Sequence, residues 1–201
     1  PVRQPVEVHH DGLTHRFRLS SPGRHMAANA VAALAVADLC GVPVETSLAA
    51  IDGFGAPEGR GAATRLGPPE RPLLLIDESY NANMASMAAA LEVFAAQRAP
   101  GGRKVLVLGD MLELGAEGPD LHRALETAVR GAGADAVYLV GPAMDALARR
   151  LGPGVAGYAR DVDGIAEAVL NGLAYGDAIM VKGSNGVRLG QLVARIRERF
   201  Q

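Results

Sequence analysis

LLLIDESYNANMASMAAALEVFAA, residues 73–96, decides how the rest of the chain is read. LLLID (73–77) is a short apolar run of strand length. Met84, Met87, Leu91 and Phe94 then recur at helical spacing, so a helix is expected over 84–97. The same alternation continues downstream. KVLVLG (104–109) precedes a helix near 119–131, and AVYLVG (136–141) a helix at 142–151. VAGYA (155–159) precedes a helix at 162–173, and AIMVKG (178–183) a closing helix at 187–200. Five such repeats with short, nearly uncharged strands predict an α/β fold, a Rossmann-like, mainly parallel sheet with helices on both faces. ATRLG (63–67) is placed to add an antiparallel edge strand beside LLLID.

Upstream the pattern differs. PVEVHHDGLTHRFRLS (5–20) alternates on both sides of Asp11-Gly12, a turn dipeptide, and predicts a hairpin. His9, His10 and His15 in it have no carboxylate pattern of metal-site spacing and are expected to be solvated. Residues 25–40 form an Ala-rich helix that is apolar almost all round, which predicts burial, and Gly41 and Pro43 end it. A short helix at 44–52 and a glycine-rich stretch at 53–61 follow. Pro68, Pro69 and Pro72 cluster after that, so the domains are expected at 1–66 and 67–201.

Composition narrows the function classes. The chain has 201 residues, is 49% hydrophobic and 21% charged, and is too apolar to be disordered. Lys plus Arg number 20 against 22 Asp plus Glu, so no net charge draws it to nucleic acid or an anionic membrane. The absence of Trp and the presence of only 4 Phe and 4 Tyr argue against a base-stacking surface. A single cysteine, Cys40, rules out an intrachain disulfide framework and a cysteine zinc cluster. The longest apolar run, 26–37, is too short to span a bilayer, and no signal-peptide layout opens the chain. The expectation is a cytoplasmic protein.

No G-x-x-x-x-G-K-[ST] loop and no G-x-G-x-x-G fingerprint is present. In a doubly wound sheet ligands bind beyond the carboxyl ends of the strands. Four loops fall there: 77–86, 109–115, 140–142 and 182–186. The first holds Asp77, Glu78, Ser79, Tyr80, Asn81 and Asn83, six polar residues in seven. A helix cap needs one of them, Asn81 or Asn83; six point to a ligand. Asp110 and Glu113 either bind an amino group or sit in a solvated loop. Lys182, Ser184 and Asn185 at a helix start either bind an anion or are solvated. His122, in the first turn of its helix, is expected at the surface. GRHMAAN (23–29) puts Arg24 and His25 at a helix start and the amide of Asn29 one turn on, and Arg60 is a cation near the domain boundary.

GRHMAANAVAALAVA (23–37), EGRG (58–61), DESYNANMASM (77–87), VLGDMLELG (107–115) and VKGSNG (181–186), in this order, resemble the Mur ligases. They are most similar to the branch that joins D-alanyl-D-alanine to UDP-N-acetylmuramoyl-tripeptide in peptidoglycan synthesis. The resemblance implies ATP-dependent amide ligation. ATP, with Mg2+, activates the tripeptide carboxylate as an acyl phosphate, and the dipeptide amine attacks it. It also implies that 1–66 is the last part of a central ATP-binding domain and 67–201 a C-terminal ligase domain. The UDP-sugar domain, the phosphate loop and most Mg2+ ligands would precede Pro1, so the chain alone is expected to be inactive.

By the same resemblance Asn29 contacts adenine, Arg60 reaches the nucleotide, and Asp77 or Glu78 accepts from the ribose. Tyr80, Asn81 and Asn83 belong to a segment that touches substrate, while Asp110, Glu113, Lys182, Ser184 and Asn185 lie near the incoming dipeptide. No catalytic residue and no metal ligand is assigned to the chain. Its partners would be ATP and the two substrates, with no nucleic acid and no membrane, in a monomer. Met26 and Met84 stand where the family often has Asn and Pro. Two other readings stay open: a Mur-type ligase for a different amino acid, and a Rossmann-like binding module without catalysis.

Overall fold

The computed structural model describes residues 4–10, 12–19, 23–54 and 58–201. Asp11 of the expected turn, residues 55–57 of the glycine-rich stretch and the His25 side chain lie outside the described residues. The chain divides into two compact units, Pro1–Pro57 and Glu58–Gln201.

In the first unit, β1 (Gln4–His10) pairs antiparallel with β2 (Leu13–Leu19), with Val6 opposite Phe17. The alternation that predicted this hairpin puts Phe17 and Leu19 inward, against Ala30 of α1 (Arg24–Leu39) and Leu48 and Ile51 of α2 (Val44–Gly53). The expectation that the first helix is buried all round is not met. Val36 is 61% exposed and Leu39 87% exposed, and Asn29 is exposed as well. Among the described residues of this unit only the hairpin and α2 pack on α1, and two elements cover one side of a helical cylinder. His9 lies 3.0 Å from the Thr14 hydroxyl and 3.4 Å from the Glu7 carboxylate on the open face of the hairpin, as a solvated imidazole does.

In the second unit, six strands form one sheet. They are β3 (Ala62–Leu66), β4 (Leu73–Glu78), β5 (Lys104–Gly109), β6 (Ala136–Val140), β7 (Gly157–Ala159) and β8 (Ala178–Lys182), in the order β3-β4-β8-β5-β6-β7. β3 runs antiparallel to β4, and the other pairings are parallel. The units therefore divide at 57/58, ahead of the expected 66/67, because Ala62–Leu66 hydrogen-bond along the whole of Leu73–Asp77.

Helices cover both faces, as the alternation predicts. α3 (Met84–Ala96), α4 (Gly118–Ala124), α5 (Glu126–Gly131) and α6 (Asp145–Leu151) lie on one face. There Met87, Leu91, Phe94, Val129 and Leu147 pack on Leu106, Leu108, Leu139 and Met180. α7 (Asp163–Gly172) and α8 (Leu189–Arg199) lie on the other, with Ile165, Val169, Leu192 and Ile196 on Leu75, Val107, Ile179 and Val181. The helix expected over 119–131 is two helices, because the chain turns at Leu125, whose N–H bonds back to the His122 carbonyl. Arg150 and Arg130 both donate to Glu126, joining α5 to α6, and hold its carboxyl below the usual carboxylate range. The closing helix starts at Leu189, after a short 3-10 turn (Asn185–Val187) and Arg188 in left-handed backbone, rather than at 187.

Candidate functional site

Parallel strands place their carboxyl ends on one edge of the sheet. β8 lies between β4 and β5, so the loops that follow these three strands are neighbours. They are residues 79–83, 110–114 and 183–188, and they contain most of the polar residues singled out from sequence.

Ser184 ties the three together. Its N–H donates to the Asp110 carbonyl at 3.0 Å. Its hydroxyl accepts from the Leu112 N–H at 3.0 Å and donates to the Ala82 carbonyl at 3.3 Å. Gly183 packs so closely on Gly109 and Leu189 that a side chain there would strike both. Lys182 is not solvated. Its side chain is 2% exposed, and the ammonium donates to Glu78 Oε2 at 3.3 Å and to the Asn81 carbonyl at 3.1 Å. It therefore tethers the 79–83 loop rather than offering a free cation at the surface. Burial of an ammonium is tolerable only with such partners.

Strand alternation separates two residues that the sequence left interchangeable. Leu73 and Leu75 face α7 and α8, and Leu74 and Ile76 face α3. Asp77 continues the first row and Glu78 the second. Asp77 accepts from Ser79 N–H at 3.1 Å, from the Ser79 hydroxyl at 2.6 Å and from Gly59 N–H at 3.2 Å. Arg197 of α8 reaches it at 3.5 Å and pairs with Glu58 at 3.0 Å. Glu78 instead faces Lys182. Asp77, Ser79, Tyr80, Asn185, Gly190 and Arg197 line part of a groove of about 450 Å³ between the 79–83 loop and α8. Arg197 Nε is buried in this wall with no protein acceptor.

The EGRG segment is joined to the same loop. Gly61 N–H donates to the Asp77 carbonyl at 2.8 Å, and Tyr80 N–H to the Gly59 carbonyl at 3.1 Å. Gly59 takes φ 73°, and a β-carbon on it would lie 2.8 Å from the Tyr80 β-carbon, so glycine is required on both counts. This close approach lays the Arg60 guanidinium over the Tyr80 ring, 4.2 Å from its centre. Both side chains remain exposed.

Other expected site residues are engaged locally. Asn83 caps α3: its side-chain oxygen accepts from Ser86 N–H at 2.8 Å and the Ser86 hydroxyl accepts from Asn83 N–H at 3.0 Å. Asn81 is exposed, and its side-chain oxygen accepts from Ala82 N–H. Asp110 is 2% exposed and caps the start of α6, accepting from Ala143 N–H at 3.1 Å and Met144 N–H at 2.8 Å. Its carboxylate is thus neither solvated nor free for an amine. Gly141 lies flush against it, where a side chain would collide with that carboxylate. Glu113 is exposed, in left-handed backbone at φ 64°. Asn29 is exposed on α1 of the first unit. His122, expected at the surface, is fully buried, because α4 turns it inward against the 110–114 loop.

Arg197 and His122 are the residues that sequence reasoning missed. Arg197 reaches Glu58 from 139 positions away, and no local pattern encodes that. Ser79 stood among the six polar residues, but its role as an Asp77 donor is visible only in the fold. Buried carboxylates are not confined to this edge. At the opposite edge Asp177 holds the N–H groups of Arg103 and Ala174 and pairs with the Arg103 guanidinium at 3.2 Å. Among the described residues no group of three or more His, Cys, Asp or Glu could hold a metal ion. Among them, too, no helix is long and apolar enough to cross a membrane. The edge offers hydrogen-bonding groups of both kinds on cross-tied loops. That is equipment for holding a polar ligand.

A family model described as Mur ligase, glutamate ligase domain, matches residues 65–185. UDP-N-acetylmuramoyl-tripeptide–D-alanyl-D-alanine ligase of Escherichia coli (strain K12) is 40% identical over 136 residues, covering 68% of this chain and 29% of that protein. The protein of the same name from Synechocystis sp. is 32% identical over 188 residues, covering 92% of this chain and 40% of that protein. A crystal structure of MurF from Acinetobacter baumannii superposes with a TM-score of 0.84 at 26% identity, covering 98% of this chain and 43% of that one. The chain thus spans two fifths or less of the length of these two curated relatives.

Proposed function

The chain belongs to the Mur ligase family, and from that premise we propose that it is part of an ATP-dependent amide ligase joining D-alanyl-D-alanine to UDP-N-acetylmuramoyl-tripeptide. The observation that carries this reading is the meeting of the loops after β4, β8 and β5, cross-tied by Ser184 and Lys182. These loops form the platform for the dipeptide. Tyr80, Asn81, Glu113 and Asn185, all exposed, are the groups that meet it. Lys182, Ser184 and Asp110 act beneath them, by holding the loops in place, and the exposed Asn83 caps α3. The enzyme works in the cytoplasm as a monomer.

ATP, when bound, supplies the phosphoryl group that activates the tripeptide carboxylate. The described residues fit the nucleoside end of such a ligand. Arg60, laid over Tyr80, offers a cation at the surface, and the groove lined by Tyr80, Asp77 and Arg197 has the Arg197 Nε in its wall without a protein acceptor. Asn29 is the adenine contact. They do not fit a phosphate cradle or a Mg2+ site, which belong to chain outside the described residues. What the second unit contributes is position: polar ligands held on the loops of one sheet edge, which lowers the entropic barrier to their reaction.

The test uses a polypeptide that extends this chain to the length of its relatives. Asn29→Ala and Arg60→Ala should raise the KM for ATP on the order of ten- to a hundredfold, and more than that for the dipeptide. Asn81→Ala and Lys182→Ala should do the reverse. The 201-residue chain alone should turn over no ATP. An Asn81→Ala enzyme impaired in ATP use alone would assign the edge to the nucleotide.

A further inference from the structure

His122 has no part in the reading above, yet it has no exposed surface at all. Its two ring nitrogens face groups of opposite kind. Nδ1 lies 2.6 Å from the Gly118 carbonyl, which can only accept, so Nδ1 carries the hydrogen. Nε2 lies 3.0 Å from the Met111 N–H, which can only donate, so Nε2 is bare. Both contacts select the same neutral tautomer. Asp110 Oδ1 is 3.9 Å from Nε2, beyond hydrogen-bond distance.

The Met111 N–H opens the loop after β5. The next N–H, of Leu112, is taken by the Ser184 hydroxyl. Two consecutive amides are thus fixed by side chains from two other elements. The residue after them is Glu113, a non-glycine residue at φ 64°. Such a conformation persists only where the surroundings over-determine it.

We infer that His122 is the positioning residue of the 110–114 loop: its bare Nε2 fixes Met111 N–H and thereby aims the Glu113 carboxylate at the amine of the incoming dipeptide. The inference rests on the reading of this edge as the dipeptide platform. It also favours Glu113 over Asp110, since Glu113 is exposed whereas Asp110 is 2% exposed and holds two N–H groups ahead of α6.

A side chain that merely fills the core would be replaced by Phe without loss of function. A positioning role requires an acceptor where Nε2 stands. Gln places its carbonyl near Nε2, whereas Asn places its polar atoms near Nδ1 only. In the extended enzyme His122→Asn should raise the dipeptide KM about tenfold and leave the ATP KM within about twofold, with His122→Gln close to the unaltered enzyme in both. In the 201-residue chain, nitrogen-15 spectra should show a protonated Nδ1 and a bare Nε2. In the same chain His122→Asn should speed hydrogen exchange at the Met111 amide about tenfold or more. A protonated Nε2 at neutral pH would overturn the inference. So would an unchanged dipeptide KM in folded His122→Asn while Asn81→Ala raises it. If neither variant moves the dipeptide KM, the platform reading fails and this inference falls with it.

Discussion

Replacing Lys182 with Met should destabilise the chain by about 3 kcal/mol, measured by urea denaturation. The ammonium is enclosed, and its removal strands the Glu78 carboxylate and the Asn81 carbonyl. Breaking a buried pair from one side costs about 3–5 kcal/mol in fully enclosed cases. Glu78 retains 22% of its side-chain exposure and can turn partly to water, which places the effect at the lower end. The double variant Glu78→Gln/Lys182→Met removes both charges and should recover most of the loss. A single variant as stable as the unaltered chain would mean that the tether contributes nothing and that the 79–83 loop is held by its other ties, to Ser184, Asp77 and Gly59.

Asp110→Ala should have an effect of similar size, about 3 kcal/mol or roughly 10 °C in Tm. Both carboxylate oxygens hold N–H groups at the start of α6, and Met144 there is fully buried. Alanine leaves two donors unpaired in the turn that leads into α6. This variant also separates two readings of a residue that the sequence placed near an amine. A cap costs stability when removed; a surface ligand costs affinity and little stability. Full retention of Tm would return Asp110 to the ligand-binding group.

The architecture after residue 72 was legible because its signals are local. Strand length, helical spacing and the order of elements need only a window of the chain, and the strands fall within two residues of their expected bounds. Sheet order was not legible. That β8 enters between β4 and β5 is a matter of pairing between residues 104 and 74 positions apart. The break at Leu125 was hidden because the apolar spacing of Leu121, Leu125 and Val129 continues through it.

For the site, the edge was legible and the division of labour within it was not. A run such as DESYNAN announces a polar loop on a rigid support. It does not announce that Asp77 and Glu78 face opposite layers, although strand alternation requires it once the strand is known to run through Glu78. Nor can composition distinguish a lysine that meets a ligand from one buried beneath the loop. His122 and Asp110 show the same limit: each is fixed by backbone groups from another loop or helix. The exposure of α1 went the other way. An apolar helix signals surfaces that need covering, and what covers them is set by chain elsewhere.

The central claim is that this edge serves a ligase for a dipeptide. The most direct measurement is kcat/KM of the extended polypeptide with ATP, UDP-N-acetylmuramoyl-tripeptide and, in separate reactions, D-alanyl-D-alanine, D-alanine or L-alanine. A platform built to hydrogen-bond the whole dipeptide should favour it over either single amino acid by about a hundredfold or more. Equal or faster ligation of a single amino acid would contradict the account.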